Sequence, residues 1–156
     1  DLINKGNVIE YPIKSIEYLE AIAKKIKKHD GGILTFDYGY TKNENENTLQ
    51  SIKKHKFSNI FFDPGNVDIT SQINFTLFSK ILKKNGLEVK KIVTQNEFLQ
   101  KLGIIERANV IAKNKNFKYK ADLYYRLKRL LDYKEMGHLF KVLFAQKKNK
   151  KFSLGF

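Results

Sequence analysis

Apolar residues three and four apart run from Lys14 to Lys28, where Ile16, Leu19, Ile22, Ala23 and Ile26 fall on one helical face. Ser15 is a candidate cap, and Asp30, Gly31 and Gly32 form a stop. The pattern then changes. Ile33 to Phe36, apolar but for Thr35 and without alternation, is a run of strand length, as a parallel strand covered on both faces reads, and Asp37 falls at its carboxyl end. Ligands of open α/β sheets bind along that edge, so Asp37, Tyr38, Gly39 and Tyr40 become candidate site residues. The plainer alternative is that Asp37 closes a turn through its side chain while Gly39 supplies an unusual backbone angle.

Further along, Thr41 to Asn47 is polar, rich in Asn and Glu, and expected as an exposed loop at the same edge. Thr48 to His55 reads as a short helical turn leading to Phe57 through Phe62, and Asp63 to Asn66 has the proline and glycine order of a type II turn. A helix is expected from Asp68, with Asp68 or Thr70 accepting its free amide hydrogens and Ile73, Leu77 and Ile81 forming its buried stripe. Asn85 and Gly86 end it. Leu87 to Val93 reads as a strand, and Thr94 to Glu97 has the spacing of a capping box ahead of a short helix that Gly103 stops. Two more helices are expected over Ile104 to Lys113 and Ala121 to Asp132. Leu139 to Ala145, broken only by Lys141, reads as a last strand. The alternation of helices and strands is that of an α/β sheet, without an internal repeat or an interdomain linker.

Composition narrows the chemistry. The 156 residues, 42% of them hydrophobic, can bury one substantial core. No stretch approaches the roughly 20 apolar residues of a membrane span. Without cysteine there is no disulfide framework or thiolate metal site. His29, His55 and His138 lie far apart, so no metal is expected. A net charge of +14 suggests a polyanionic partner, yet only three of the 30 basic residues are arginines, Arg107, Arg126 and Arg129. The densest run, Lys147 to Lys151, reads as a solvated tail, and the lysines arrive with many Asn, Ile and Phe residues, as A/T-rich coding produces. Nucleic-acid binding is disfavoured as the main function. The chain begins at Asp1 and contains no G-x-G-x-x-G turn, Walker-type loop, serine elbow or cysteine nucleophile. It reads as an excerpt, half of a nucleotide-type fold.

One ordered set of short motifs adds to this reading. Phe36 to Tyr40, Thr48-Leu49, Lys54-His55, Pro64-Gly65, Asp68 to Thr70, Asn74-Phe75, Gln95, Phe98-Leu99 and Leu102-Gly103 come first. Arg126-Leu127, Met136 to Val142 and Gly155-Phe156 complete it. In this order and spacing the set resembles the MidA-like class I S-adenosylmethionine-dependent methyltransferases, a family that includes the mitochondrial complex I assembly factor methylating a protein arginine. The resemblance implies the C-terminal part of a Rossmann-like α/β sheet with extra helices. Leu87 to Val93 and Leu139 to Ala145 would be its last two strands, the final one antiparallel between its neighbours. Residues 1–156 would be a single domain, the C-terminal portion of a larger methyltransferase domain. Its cofactor-binding N-terminal half, with a glycine-rich loop and an acidic residue on the next strand, is not among these residues.

The resemblance further implies S-adenosylmethionine as cofactor, a protein substrate such as a complex I subunit, and the missing N-terminal half as a partner. The location would be the cytoplasm in bacteria or the mitochondrial matrix in eukaryotes. Two positions depart from the family pattern: Gln50 stands where arginine is common and Asn74 where aspartate is.

Methyl transfer to a guanidinium requires groups that orient it and take a proton. Asp37 and Asp68 offer charge, His55 titrates in a useful range, and Tyr38 and Tyr40 offer aromatic faces to a cation. The expected catalytic set is therefore Asp37, His55 and Asp68, with Tyr38, Gly39 and Tyr40 lining the substrate side. Plainer readings stand beside these: Asp68 as a helix cap, His55 bridging backbone groups, and the tyrosines packing. Two other functions compete, an inactive fragment of a split or decayed methyltransferase gene and a basic interaction module docking on an acidic partner or RNA. Salt dependence of binding separates the last from the rest.

Overall fold

The computed structural model describes residues 9–42, 47–54, 56–150 and 152–156. In chain order the elements are α1 (Ile13–His29), β1 (Gly32–Tyr40), β2 (Gln50–Lys53), β3 (Lys56–Ser58), β4 (Asp68–Thr70), β5 (Ile73–Asn74) and α2 (Phe75–Lys84). Then come β6 (Leu87–Val89), β7 (Val93–Thr94), α3 (Gln95–Lys101), α4 (Ile104–Ala112), α5 (Phe117–Leu131), α6 (Met136–Leu139) and β8 (Phe140–Lys147).

The main sheet has the order β5-β1-β8-β6, with β7 also paired to β8. Strand β8 runs antiparallel to β1, β6 and β7, so the last strand lies between two neighbours of common direction, as the resemblance implied. On one face α1 and α2 supply Leu19, Ala23, Ile26, Phe75, Leu77, Ile81 and Leu82, which bury Leu143 and Ala145 of β8. Each Leu, Ile or Phe among them taken from water contributes about 1.5–3 kcal/mol, which makes this face the principal source of stability. The second face is smaller. Phe98 of α3 packs with Val93 and Val142, and its ring meets those of Phe36 and Phe156 edge-on at 5.0 and 5.2 Å.

Several expectations hold because their causes are local. Helix α1 stops where Asp30 turns left-handed at φ 64°. Asp63 to Asn66 forms the turn, with Asn66 N donating to Asp63 O and Gly65 at φ 88°. Thr94 and Glu97 form the full capping box, and Gly103, at φ 77°, follows α3.

Other expectations are corrected. Thr48 to His55 is not a helical turn: Gln50–Lys53 is strand β2, the centre of a second sheet of order β3-β2-β4. Asp68 does not cap a helix, because Asp68–Thr70 is extended and pairs with Gln50–Ile52. Helix α2 begins only at Phe75, where the Asn74 side chain accepts the Leu77 amide at 2.9 Å. Ladder pairing over about twenty residues outweighed the cap signal at Asp68. Leu87 to Val93 divides into β6 and β7, with Lys90 N donating to Phe144 O between them. α1 has no side-chain cap, so Ser15 does not serve as one. α5 starts at Phe117, capped by Asn116 rather than at Ala121. The Thr41 to Asn47 loop lies largely outside the described residues.

β1 also differs from its reading. It continues to Tyr40, which places Asp37 inside the ladder opposite Lys141 rather than at the strand's end. Its neighbour β8 is antiparallel, and Leu34 and Phe36 remain 48% and 41% exposed, so a run without alternation here does not mark cover on both faces among the described residues.

Candidate functional site at the carboxyl end of β1

At the last residues of β1 the main sheet meets the small sheet. Gly39 and Tyr40 pair in parallel with Ile73 and Asn74, and the chain between passes through β2, β3 and β4. Gly39 is buried, and a methyl group at its Cα would collide with the Ile73 carbonyl and lie 2.9 Å from the Phe75 ring. Only glycine lets β5 approach β1 this closely.

Tyr38 stands directly opposite Phe140, their rings 6.0 Å apart and tilted by 66°. Both line a cleft of about 680 Å³ whose other wall is Gln50, Ile52, Asp68 and Thr70. The Thr70 hydroxyl is buried with no hydrogen-bond partner among the described residues. The structure thus brings Tyr38 and Asp68 to one cavity. Asp37 lies elsewhere: strand alternation turns it to the opposite face from Tyr38, and its Oδ1 accepts the Tyr38 amide at 2.8 Å. Tyr40 lines a second pocket, of about 560 Å³, beside the start of α1. Burial first and the carboxylate of Glu10 second push the Tyr40 hydroxyl pKa up, with the Asn74 side chain opposing them. His55 falls outside the described residues.

Two groups escaped the sequence reading. Lys141 is buried beside Asp37's position on the ladder, and its ammonium donates to the His138 carbonyl; burial lowers its pKa. The signal was present, a single lysine in the otherwise apolar run Leu139 to Ala145. Next to it His138 packs against the Tyr133 ring at 4.2 Å, and its pKa is lowered by burial first, then by the Lys141 charge, with Glu97 opposing. Glu10, the second missed group, carries the other pocket's charge and lies ahead of any periodic segment.

The residues described do not fit a complete adenosylated cofactor. Both helices that follow strands directly, α2 and α3, have their N-termini taken up by Asn74 and by Thr94 with Glu97, and neither turn contains glycine. Among the described residues no group of three acidic or imidazole side chains could hold a metal, and no helix is long and apolar enough to cross a membrane.

Comparison with known proteins agrees with this architecture. The family model described as "Putative S-adenosyl-L-methionine-dependent methyltransferase" matches residues 1–93. Among curated proteins, the chain is 27% identical over 124 residues to the protein arginine methyltransferase NDUFAF7, mitochondrial, of Xenopus tropicalis, covering 79% of this chain and 28% of that protein. The Danio rerio protein of the same name is 25% identical over 122 residues, covering 78% and 28%. The chain thus spans little more than a quarter of these relatives. A crystal structure from Burkholderia thailandensis superposes with a TM-score of 0.80 at 21% identity, over 90% of this chain and 38% of the other. Another from the same organism, bound to S-adenosyl-homocysteine, superposes with a TM-score of 0.78 at 20% identity, over 90% and 37%. With the last strand antiparallel between its neighbours and the family match over more than half its length, the chain belongs to the S-adenosyl-L-methionine-dependent methyltransferase family.

Proposed function

We propose that this chain supplies the substrate side of a methyltransferase that modifies a protein arginine, as the C-terminal portion of a larger domain whose other part holds S-adenosylmethionine. The observation that carries the reading is the cleft at the end of β1, where Tyr38 and Asp68 converge from two sheets, in a chain whose curated relatives are named protein arginine methyltransferases. A carboxylate and an aromatic ring are the groups that orient a guanidinium, and Asp68 is able to take the proton it sheds. The donor's cradle is assigned outside the described residues, since both strand-to-helix turns here are self-capped. A complex I subunit is the acceptor this reading favours.

The test has two arms. Calorimetry of residues 1–156 alone with S-adenosylmethionine should show no saturable binding below about millimolar. Joined to the cofactor-binding part of the domain, the chain should transfer labelled methyl groups to arginine in a protein acceptor, as read by mass spectrometry. Micromolar cofactor binding by the chain alone, or methylation confined to lysine or nucleic acid, overturns the reading.

A further inference from the structure

The pocket beside the start of α1 has a composition unlike the rest of this surface. Four aromatic rings, Tyr11, Tyr18, Tyr40 and Phe78, line its roughly 560 Å³, and one carboxylate, Glu10, faces them. Elsewhere the chain is strongly cationic, with a net charge of +14. Glu10 is held in place: Oε1 accepts the Thr48 amide at 2.8 Å and Oε2 the Thr48 hydroxyl at 2.7 Å, while that hydroxyl in turn accepts the Gln72 amide at 2.9 Å. Each carboxylate oxygen therefore keeps a lone pair, and the group cannot swing away without breaking a three-bond chain. Burial first and the Glu10 charge second raise the Tyr40 hydroxyl pKa in the same pocket, with Asn74 opposing. Tyr11 and Tyr18 are 56% and 69% exposed, so their rings are open to a ligand.

We infer that this pocket binds the cationic side chain of an arginine in a peptide, the guanidinium lying over the tyrosine faces with its charge met by Glu10. The inference rests on the proposed methyl-transfer reading for its biological setting, and on the pocket's chemistry for its ligand. A guanidinium plane stacks on aromatic rings and is more weakly hydrated than an ammonium, so an aromatic pocket with one fixed carboxylate suits it. Tyr40 lies only two residues from Tyr38, about 7 Å along the strand, so a peptide seated in the pocket runs past the Asp68 cleft. The pocket is then the anchor and the cleft the place of reaction.

The experiment is a calorimetric or NMR titration of the chain with acetyl-Gly-Arg-Gly-amide and with its citrulline counterpart, which keeps the shape and removes the charge. No cofactor is present. Arginine should bind with a dissociation constant of about millimolar and citrulline at least about tenfold more weakly. Glu10→Gln should weaken arginine binding about tenfold, and Tyr18→Leu about fivefold. Because Tyr18 is largely exposed, Tyr18→Leu carries the test if Glu10→Gln fails to fold. Equal binding of the two peptides, no saturable arginine binding, or folded variants that bind as the parent does would overturn the assignment. Arginine binding without methyl transfer in the joined domain supports the pocket and rejects the proposed activity. Methyl transfer that both variants leave unchanged does the reverse.

Discussion

Glycine explains more of this chain's motif pattern than charge does. Gly137 is buried, and any methyl group there would strike the Leu131 carbonyl, so α6 can pack on the end of α5 only with glycine at that position. Gly155, at φ 84°, has the Phe98 ring against its Cα and thereby lets Phe156 reach Phe98 and Phe144. Both glycines belong to motifs that pointed to the family, and their reason is packing. At the site itself, Asp68 is exposed on β4 and makes no ion pair among the described residues, which frees its carboxylate for a ligand in the cleft. Asp68→Asn in the complete domain should therefore lower arginine methylation roughly a hundredfold while the melting temperature stays nearly constant. Full activity in that variant would leave Tyr38 without a charged companion. Asp37 was as conspicuous in sequence as Asp68, yet its carboxylate binds its neighbour's amide on the other face of β1. Which face a strand residue takes depends on one unit of register, and the short motif Phe36 to Tyr40 does not carry that information.

Among the elements, helices with chemical punctuation were legible and short strands were not. The capping box at α3 requires only four consecutive residues: Thr94 Oγ1 accepts the Glu97 amide at 3.1 Å, and Glu97 accepts the Thr94 amide at 2.8 Å. α3 then carries Phe98 into the second core and, through Gln95 and Asn96, donates to the Leu130 and Leu131 carbonyls at the end of α5. Thr94→Ala should cost about 1 kcal/mol in chemical denaturation, with loosening that spreads to α5 and α6 in amide exchange. A loss confined to α3 would show that the interhelix bonds contribute little. By contrast, β2 and β4 exist because residues about twenty positions apart pair, with Ser51 and Ser58 also joined by a 2.8 Å hydroxyl contact. Neither segment contains a local strand signal strong enough to compete with its helical or turn-like reading.

For the whole molecule, protonation couples the C-terminal elements to pH. Burial and Lys141 lower the His138 pKa, so the folded chain binds this proton less readily than the unfolded chain. Stability contributed by the neutral form is present above the ordinary histidine value and falls as pH drops through it. The carboxylates lowered mainly by hydrogen bonds, Glu97 to Thr94, Glu88 to Lys90 and Asp63 to Lys53, act with the same sign at lower pH. Denaturation midpoints should therefore fall in two stages on acidification, the first between about pH 7 and 5 and the second below about pH 4.5. His138→Asn should remove the first stage alone, and a parent midpoint that is flat from pH 7 to 5 would contradict this account. The amino-acid sequence by itself determined the stop of α1, both ends of α3, the turn at Asp63, the β1 and β8 strands and the family. Each of these depends on contacts within a few residues or on motifs read in order. Tertiary structure alone decided that Thr48 to Thr70 builds a second sheet, that Asp68 joins Tyr38 while Asp37 turns away, and that Glu10 meets Tyr40. These are long-range pairings, whose partners a linear pattern does not name and whose register selects the face each side chain takes.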